Sequence, residues 1–457
     1  MSTFQVDLDL IKKYNVPAPR YTSYPPATHF SEQASFDVLR ERILANNESE
    51  RDLSLYFHLP FCKSLCWYCG CTTVITTQPR AAANYLNYLK KEMALMAALL
   101  NPKRKVAQFH FGGGTPTFLT PDELRSAGDL IHQQFQFAEN LEAGVEIDPR
   151  RLTRDHLAAL REIGFNRASV GVQDHDATVQ RAVHRIQPYA ETKMAVDWIR
   201  AEGFKSLNLD LIYGLPHQTT ASFEKTLDDL LHLKPDRLAV FSYAHVPWIK
   251  PAQRIFTADV LPSGDVKLQI LKLTIEKLTA AGFVYIGMDH FARADDELAV
   301  AQQQKTLQRN FQGYSTHGGA DIYSFGMSSI SQIEGAYWQN LKELPAYYAA
   351  LDAGKLPFSR GYILTEDDKI RRQTIMRLMC DLSLDYSLMS QYLELDFRKY
   401  FAKEIASLHD FETDGLLVQA ERGLTVTDLG RLLIRNIAMR FDAYQTKRQE
   451  QCFSRTI

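Results

Sequence analysis

The sequence predicts an α/β fold on parallel strands, with an arm ahead of it and a mostly helical module behind. Three observations carry this reading. Six strand-like runs, at 53–58, 107–111, 144–147, 167–172, 206–212 and 237–242, are interleaved with helix-like runs near 81–100, 121–136, 153–163, 190–202, 219–232 and 265–281. Consecutive βα units of this length are joined by right-handed crossovers into a parallel sheet. Residues 17–26 hold four prolines, and beyond about residue 360 the texture turns helical.

Residues 1–50 form the arm. Pro17, Pro19, Pro25 and Pro26 fix an extended path, while Arg20, Tyr21 and Tyr24 offer anion and stacking contacts. Such a segment either lies against the core or covers a site. Residues 51–355 hold the βα units, where Thr120-Pro121-Asp122-Glu123 reads as a helix start with Thr as N-cap. Periodicity alone leaves an open sheet and a barrel both standing. Residues 356–457 form the C-terminal module: helices near 366–380 and 396–409, a hairpin over 415–426, and a helix from Asp428 to about Tyr444. That order resembles a winged helix. Yet residues 360–457 carry 15 Lys and Arg against 15 Asp and Glu, whereas a nucleic-acid wing needs a basic face. Packing or capping is the favoured role.

Composition excludes several classes. The 457 residues are 45% apolar and 23% charged, as in ordinary globular chains, and 52 Lys and Arg against 54 Asp and Glu leave a net charge of −2. No basic excess points to nucleic acid or an anionic membrane. The longest clean apolar run, 94–100, is far short of a membrane span, and the acidic N-terminus does not resemble a signal peptide. A cytoplasmic location is expected.

The cysteines depart from this. Cys62, Cys66, Cys69 and Cys71 fall within ten residues, while Cys380 and Cys452 lie far away. Disulfide frameworks distribute cysteines through short secreted chains, so this cluster reads as metal or redox chemistry. Zinc sites commonly use two separated pairs. Three cysteines at x3 and x2 spacing in one loop suit a 4Fe–4S cluster with one iron left open. That is favoured over zinc and over redox thiols, and Cys71 is awkwardly close to Cys69 for a fourth ligand. The remaining strand ends carry Gly112-Gly113-Gly114-Thr115, Glu146 with Asp148, Gln173 with Asp174, Asp210, and Tyr243-Ala244-His245. Polar residues at successive strand ends mark the face where α/β proteins place their sites. The three glycines invite a close backbone approach, by a cofactor or by the next turn. Gly287–Ala292, Asn310–Tyr314 and Phe325–Ile330 are further blocks, the first two mixing polar and aromatic residues and the last reading as a buried turn or strand.

Cys62-x3-Cys66-x2-Cys69 resembles the motif of radical S-adenosylmethionine (SAM) enzymes. The blocks PRYTSYP (19–25), HLPFCKSLCWYCGC (58–71), FGGGTPT (111–117), GVQD (171–174), DLIYGLP (210–216), GMDHFAR (287–293) and NFQGY (310–314) are more specific. They resemble the bacterial oxygen-independent coproporphyrinogen III oxidase (dehydrogenase) family over nearly the whole chain. The resemblance implies a partial (β/α)6 barrel with an N-terminal arm and a helical, winged-helix-like C-terminal domain. It implies that Cys62, Cys66 and Cys69 hold one 4Fe–4S cluster, with one SAM on the fourth iron and a second SAM nearby. Tyr56, Gly113, Glu146 and Ile330 match contacts to the first SAM. Tyr68, Gly114, Thr115, Gln173, Arg185, Asp210 and Ala244 match contacts to the second, with Tyr68 standing where the family commonly has Phe. Cys71 matches a cysteine needed for turnover that is not a cluster ligand.

The implied reaction converts two propionates of coproporphyrinogen III to vinyl groups, each through a 5′-deoxyadenosyl radical, which unactivated C–H bonds require. Arg20 is expected to pair with a substrate carboxylate. An electron donor such as flavodoxin or ferredoxin is implied, with no nucleic acid, no membrane and a monomeric state. A haem chaperone of the same lineage typically has Phe at position 71 and lacks the PRYTSYP arm. A haem-degrading relative and a zinc-structured nucleic-acid-binding protein are the remaining alternatives.

Overall fold

In the computed structural model, which describes residues 6–445, one twelve-stranded sheet organises most of the chain. Its strands are β1 Leu53–Leu59, β2 Lys105–Gly113, β3 Gln136–Ile147, β4 Arg167–Gln173, β5 Ser206–Tyr213, β6 Arg237–Ser242, β7 Phe283–Gly287, β8 His290–Arg293, β9 Asp321–Phe325, β10 Ile330–Ile333, β11 Ala336–Asn340 and β12 Phe358–Ile363. Their order across the sheet is β12-β11-β10-β9-β1-β2-β3-β4-β5-β6-β8-β7. Neighbours from β9 through β1 to β6 run parallel. Antiparallel strands finish both flanks.

Side-chain alternation sets which face does what. Along β4, Ala168, Val170 and Val172 are buried, while Arg167, Ser169, Gly171 and Gln173 keep partial exposure, and β5 repeats the pattern. Successive side chains point to opposite faces of a strand. Helices cover the apolar set, and the other set lines the concave side of a partial barrel. The helix Pro121–Gln134 starts as expected, with the Thr120 hydroxyl capping Glu123 N and the Glu123 carboxylate returning to Thr120 N.

Two differences from the expected strands are informative. β3 begins at Gln136 rather than 144, because Glu139, Asn140 and Glu142 break the alternation while a register shift lets pairing with β2 continue. β9 adds a seventh parallel strand, although its first residue is an aspartate. Asp321 is buried there because Arg104 and Asn46 bind its carboxylate.

The arm contains two helices, Leu8–Tyr14 and Phe36–Ala45. Between them, Tyr21 and Tyr24 are buried in the C-terminal module's core beside Phe401, Leu433 and Phe441. The module holds the helix Glu366–Asp381 and the hairpin Leu417–Ala420 with Gly423–Val426. The single helices expected at 396–409 and 428–444 are each broken into short pieces. Phe397–Tyr400 is followed by Ala402–Ala406, and Asp428–Arg431 by Ile434–Met439. The second break has a visible cause: any side chain at Gly430 would collide with the Leu416 carbonyl oxygen, and the bend buries Leu433, Ile434 and Ile437 together. β12 pairs along β11, so the sheet runs past residue 356 to Ile363. Among the described residues no helix is long and apolar enough to cross a membrane. Cys452 lies outside the described residues.

Candidate functional site

The cysteine loop leaves the C-terminal end of β1 and is held at both ends by backbone. Phe61–Cys62 pairs with Val74–Ile75, and Gly114 N and Thr115 N donate to the carbonyls of Leu59 and Phe61 at 2.8 and 2.9 Å. Phe61 is buried between Tyr85 and Phe118, and His58 Nε2 meets Thr72 O at 2.8 Å. On the loop Cys66 is buried, Cys62 and Cys69 are half-buried, and Cys71 is exposed.

These thiols are electronically distinct. A hydrogen bond from Cys71 holds the Cys69 thiol down to about 6, and the same contact pushes Cys71 up. Burial pushes Cys62 up to about 11, against its contact with Thr115 Oγ1 at 3.3 Å. Two guanidiniums aim at Cys66 Sγ: Arg150 Nη2 at 3.6 Å and Arg185 Nη1 at 3.7 Å. Both also bind Asp148 Oδ2, at 2.6 and 3.2 Å. Burial would raise the Asp148 carboxyl, but Arg185 and Arg150 overrule it and hold it at about 2.

Below the loop, the concave face carries the polar set. Tyr56 stacks on His110 at 5.8 Å, and His110 Nε2 lies 3.5 Å from Glu146 Oε1. Gly113 N donates to Glu146 Oε2 at 3.1 Å, and His110 with this amide keeps the carboxyl below its usual range despite burial. Asp210 goes the other way. Burial raises it to about 6, although Ser169 Oγ and Asn208 Nδ2 donate to it at 2.6 and 2.8 Å. Arg185 Nη2 holds Gly171 O at 2.7 Å, and Gln173 adopts a left-handed φ of 70° where β4 ends. Ile330 opens β10, and Ala244 is exposed just past β6. Tyr68 O accepts from Gln253 at 3.1 Å.

The structure therefore gathers the expected site residues at the C-terminal ends of β1 to β6 and the β9–β10 turn. The glycines prove to be needed for packing against protein. A Cβ at Gly113, whose φ is 113°, would lie 2.6 Å from His58 Nδ1, and one at Gly114 would lie 2.5 Å from Pro60 backbone. Arg20 is already paired, its Nη2 donating to Asp289 Oδ2 at 2.5 Å.

Several residues escaped sequence reasoning. His58 and His110 follow Tyr56 and Gln108 by two, so the period-two alternation could have found them. Arg150 and Glu92 carry no such signal. Glu92, on the helix Ala81–Ala97, accepts from Gly326 N, Tyr347 OH and Asn340 Nδ2 at 2.8, 2.6 and 2.5 Å, fixing the turn that leads to Ile330. Arg309 is buried beside Arg20, with its guanidinium over Tyr314 at 4.7 Å and its Nη1 without a partner. A separate cavity of about 730 Å³ opens at the other ends of β1 and β9, walled by Arg51, Asp321, Arg309, Arg372 and Met376 and by none of the cysteines.

The donor set suits an iron–sulfur cluster. Cys62, Cys66 and Cys69 sit on one backbone-anchored loop, within electrostatic reach of one another. A 4Fe–4S cluster takes each thiolate on a different iron, so its sulfurs surround a body. The guanidiniums of Arg150 and Arg185 beside Cys66 would balance the negative charge of a thiolate-bound cluster.

The thiol loop and the polar mouth of a partial barrel define a radical SAM enzyme, and residues 56–230 match the Radical SAM superfamily. Residues 364–433 match the HemN C-terminal domain. The chain belongs to the oxygen-independent coproporphyrinogen III oxidase family. It is 47% identical to the protein of that name from Synechocystis, over 100% of this chain and 99% of the relative. It is equally 47% identical to the one from Escherichia coli K12, over 100% of both. The solved structure of coproporphyrinogen III oxidase (HemN) from Escherichia coli, described there as a radical SAM enzyme, superposes with a TM-score of 0.93 at 46% identity, covering 97% of this chain and 100% of that one.

Proposed function

We propose that the chain converts two propionates of coproporphyrinogen III to vinyl groups, giving protoporphyrinogen IX without oxygen and consuming two SAM. The observation that carries this reading is the gathering of a three-thiol loop with the polar C-terminal ends of six parallel strands, in a chain that the family matches from end to end. Cys62, Cys66 and Cys69 would hold the cluster, which with SAM supplies a radical able to take hydrogen from an unactivated C–H bond.

The chain's own residues do the positioning. Tyr56, Gly113, Glu146 and Ile330 line the place for the first SAM. Glu146, ionised beside His110, accepts hydrogen bonds and offers a counter-charge to a sulfonium or an amino group. Tyr68, Gly114, Thr115, Gln173, Arg185, Asp210 and Ala244 line the place for the second. Asp210, with its raised carboxyl, suits a ribose hydroxyl as partner. Cys71, protonated and exposed at the mouth, is a hydrogen or proton donor within the site rather than a ligand. At the floor, Arg20 exchanges Asp289 for a substrate carboxylate, and the unpartnered Nη1 of Arg309 takes part. Burying that nitrogen without an acceptor is costly, and an incoming carboxylate removes the cost.

The electron donor is a flavodoxin- or ferredoxin-like protein, and the enzyme works as a cytoplasmic monomer. The test is anaerobic incubation of the reconstituted protein with SAM, dithionite and coproporphyrinogen III. Protoporphyrinogen IX should form with about two 5′-deoxyadenosines per product. Tight haem binding without turnover would overturn the reading.

A further inference from the structure

We infer that the face around the cysteine loop is the docking surface for a small, acidic, one-electron carrier protein. The inference rests on the proposed function, in which the cluster receives its electron from such a protein, and adds where that protein lands.

Four segments enclose the loop. Residues 60–72 are the loop itself. Arg150 reaches Cys66 from 148–154. Trp67 N donates to Val183 O at 3.0 Å, and its ring stacks on His184 at 5.1 Å, which brings in 181–188. Lys250 Nζ donates to Cys71 O at 2.8 Å and Gln253 Nε2 to Tyr68 O at 3.1 Å, which brings in 244–256.

These segments share two properties that the chain as a whole lacks. The first is charge. Across the chain acids slightly outnumber bases, 54 to 52. In the four segments Asp148 is the sole carboxylate, and it is already bound by Arg150 and Arg185. Lys63, Arg151, Arg181 and Arg254 are exposed there, with Lys250 half-buried. The second is exposed apolar surface. Trp248 is 70% exposed, Ile249 64% and Ile186 63%, with Ile255 also exposed. Trp248 is the most exposed large apolar residue among those described. An apolar centre rimmed by one sign of charge marks a protein-binding site, and Trp and Arg are the side chains that most often anchor one. Cationic rims speed encounter with acidic partners.

Position supplies the functional argument. Cys71 is exposed and Cys62 and Cys69 are half-buried, so a group held by this loop lies just beneath the face. A carrier seated on Trp248 and Ile249 comes within a few residues of the thiols without opening the lumen. One electron leaves the reduced carrier and enters the cluster. No bond forms or breaks at that step, and no proton moves. Redox encounters of this kind use small, wet, transient interfaces, which fits an apolar centre of a few side chains.

The experiment uses reconstituted holoenzyme and a purified acidic flavodoxin, photoreduced. Two double variants are made, Trp248→Ser with Ile249→Ser and Arg181→Glu with Arg254→Glu. None of these four residues contacts the thiols or the lumen groups described above. Equilibrium titration should show flavodoxin affinity at least tenfold weaker in both variants. The parent's affinity should fall steeply between 20 and 200 mM salt, and that of the charge-reversed variant should not. Cluster reduction by flavodoxin, followed by electron paramagnetic resonance, should slow in parallel, while reduction by dithionite stays as in the parent. Flavodoxin affinity and flavodoxin-driven reduction within twofold of the parent in both variants would overturn the inference. Should the parent fail to turn over coproporphyrinogen III even with dithionite, the proposed function falls, whereas the titration, which needs no substrate, still decides on the surface.

Discussion

The mouth and the floor of the lumen are built in opposite ways. At the mouth, the three thiols come from one stretch of fourteen residues, 58–71, tied down by main-chain hydrogen bonds from Val74, Thr76, Gly114 and Thr115. At the floor, Arg20, Asp289, Arg309 and Arg435 come from four distant segments. They meet through side chains, with Arg435 Nε on Pro19 O at 3.1 Å and Arg309 Nε on Arg20 O at 3.4 Å. A contiguous, backbone-anchored loop can tolerate changes elsewhere and keep its geometry. A convergent floor depends on every element that contributes to it. Chemistry at the mouth and recognition at the floor should therefore fail separately.

The largest expected effect breaks the mouth. Cys66→Ser should lose most of its iron and acid-labile sulfide and at least a thousandfold in turnover. Full iron content would remove Cys66 from the ligand set. Cys71→Ser should divide the mouth itself, keeping a complete cluster spectrum while turnover disappears. A colourless, iron-free protein would make Cys71 a ligand. Arg309→Gln tests the floor alone. Iron content and SAM binding should match the parent, while binding of coproporphyrin III, read by fluorescence titration, weakens about tenfold, the scale of one lost charge-assisted hydrogen bond.

A smaller effect comes from the buttress behind the mouth. Burial raises the Glu92 carboxyl to about 7, although Tyr347, Gly326 N and Asn340 all donate to it. An unfolded glutamate titrates near 4.3. The folded protein therefore holds this proton more tightly, and stability declines as pH rises from about 4 to about 7, by on the order of 3 kcal/mol. Denaturant titrations of Glu92→Gln across that range should show a flatter profile than the parent. Equal slopes would show that this carboxyl stays ionised. The smallest effect lies at the start of the helix Pro121–Gln134. Thr120→Ala removes a capping box and should cost about 1 kcal/mol, with turnover unchanged.

This contrast also explains what was legible in the sequence. The mouth could be read because its residues are adjacent and sit at the ends of six strands whose apolar alternation is plain. Cys62, Cys66, Cys69 and Cys71 needed only spacing. The floor could not be read, because nothing local links Arg20 to Asp289. The motifs holding them stood out by composition, and only the fold shows that they face one another. β9 was hidden for a related reason. Its Asp321 looks incompatible with a buried strand until Arg104 and Asn46, more than two hundred residues earlier, are brought to it. The helix expected from Asp428 to Tyr444 fails because the close approach of Gly430 to the hairpin is a tertiary fact.

The arm's route has a consequence for how the molecule is made. Tyr21 OH binds Asp442, the Tyr24 hydroxyl receives Ala443 N, and Asn436 Nδ2 holds Tyr14 O. Arm residues 14–24 thus find much of their support in residues 436–443, more than four hundred positions later. Before the C-terminal module is made, this stretch has only its barrel contacts, such as Arg20 with Asp289 and Tyr24 O with the Tyr337 hydroxyl. A molecule cut short before residue 436 would therefore leave the hydroxyls of Tyr21 and Tyr24 without the partners that hold them here.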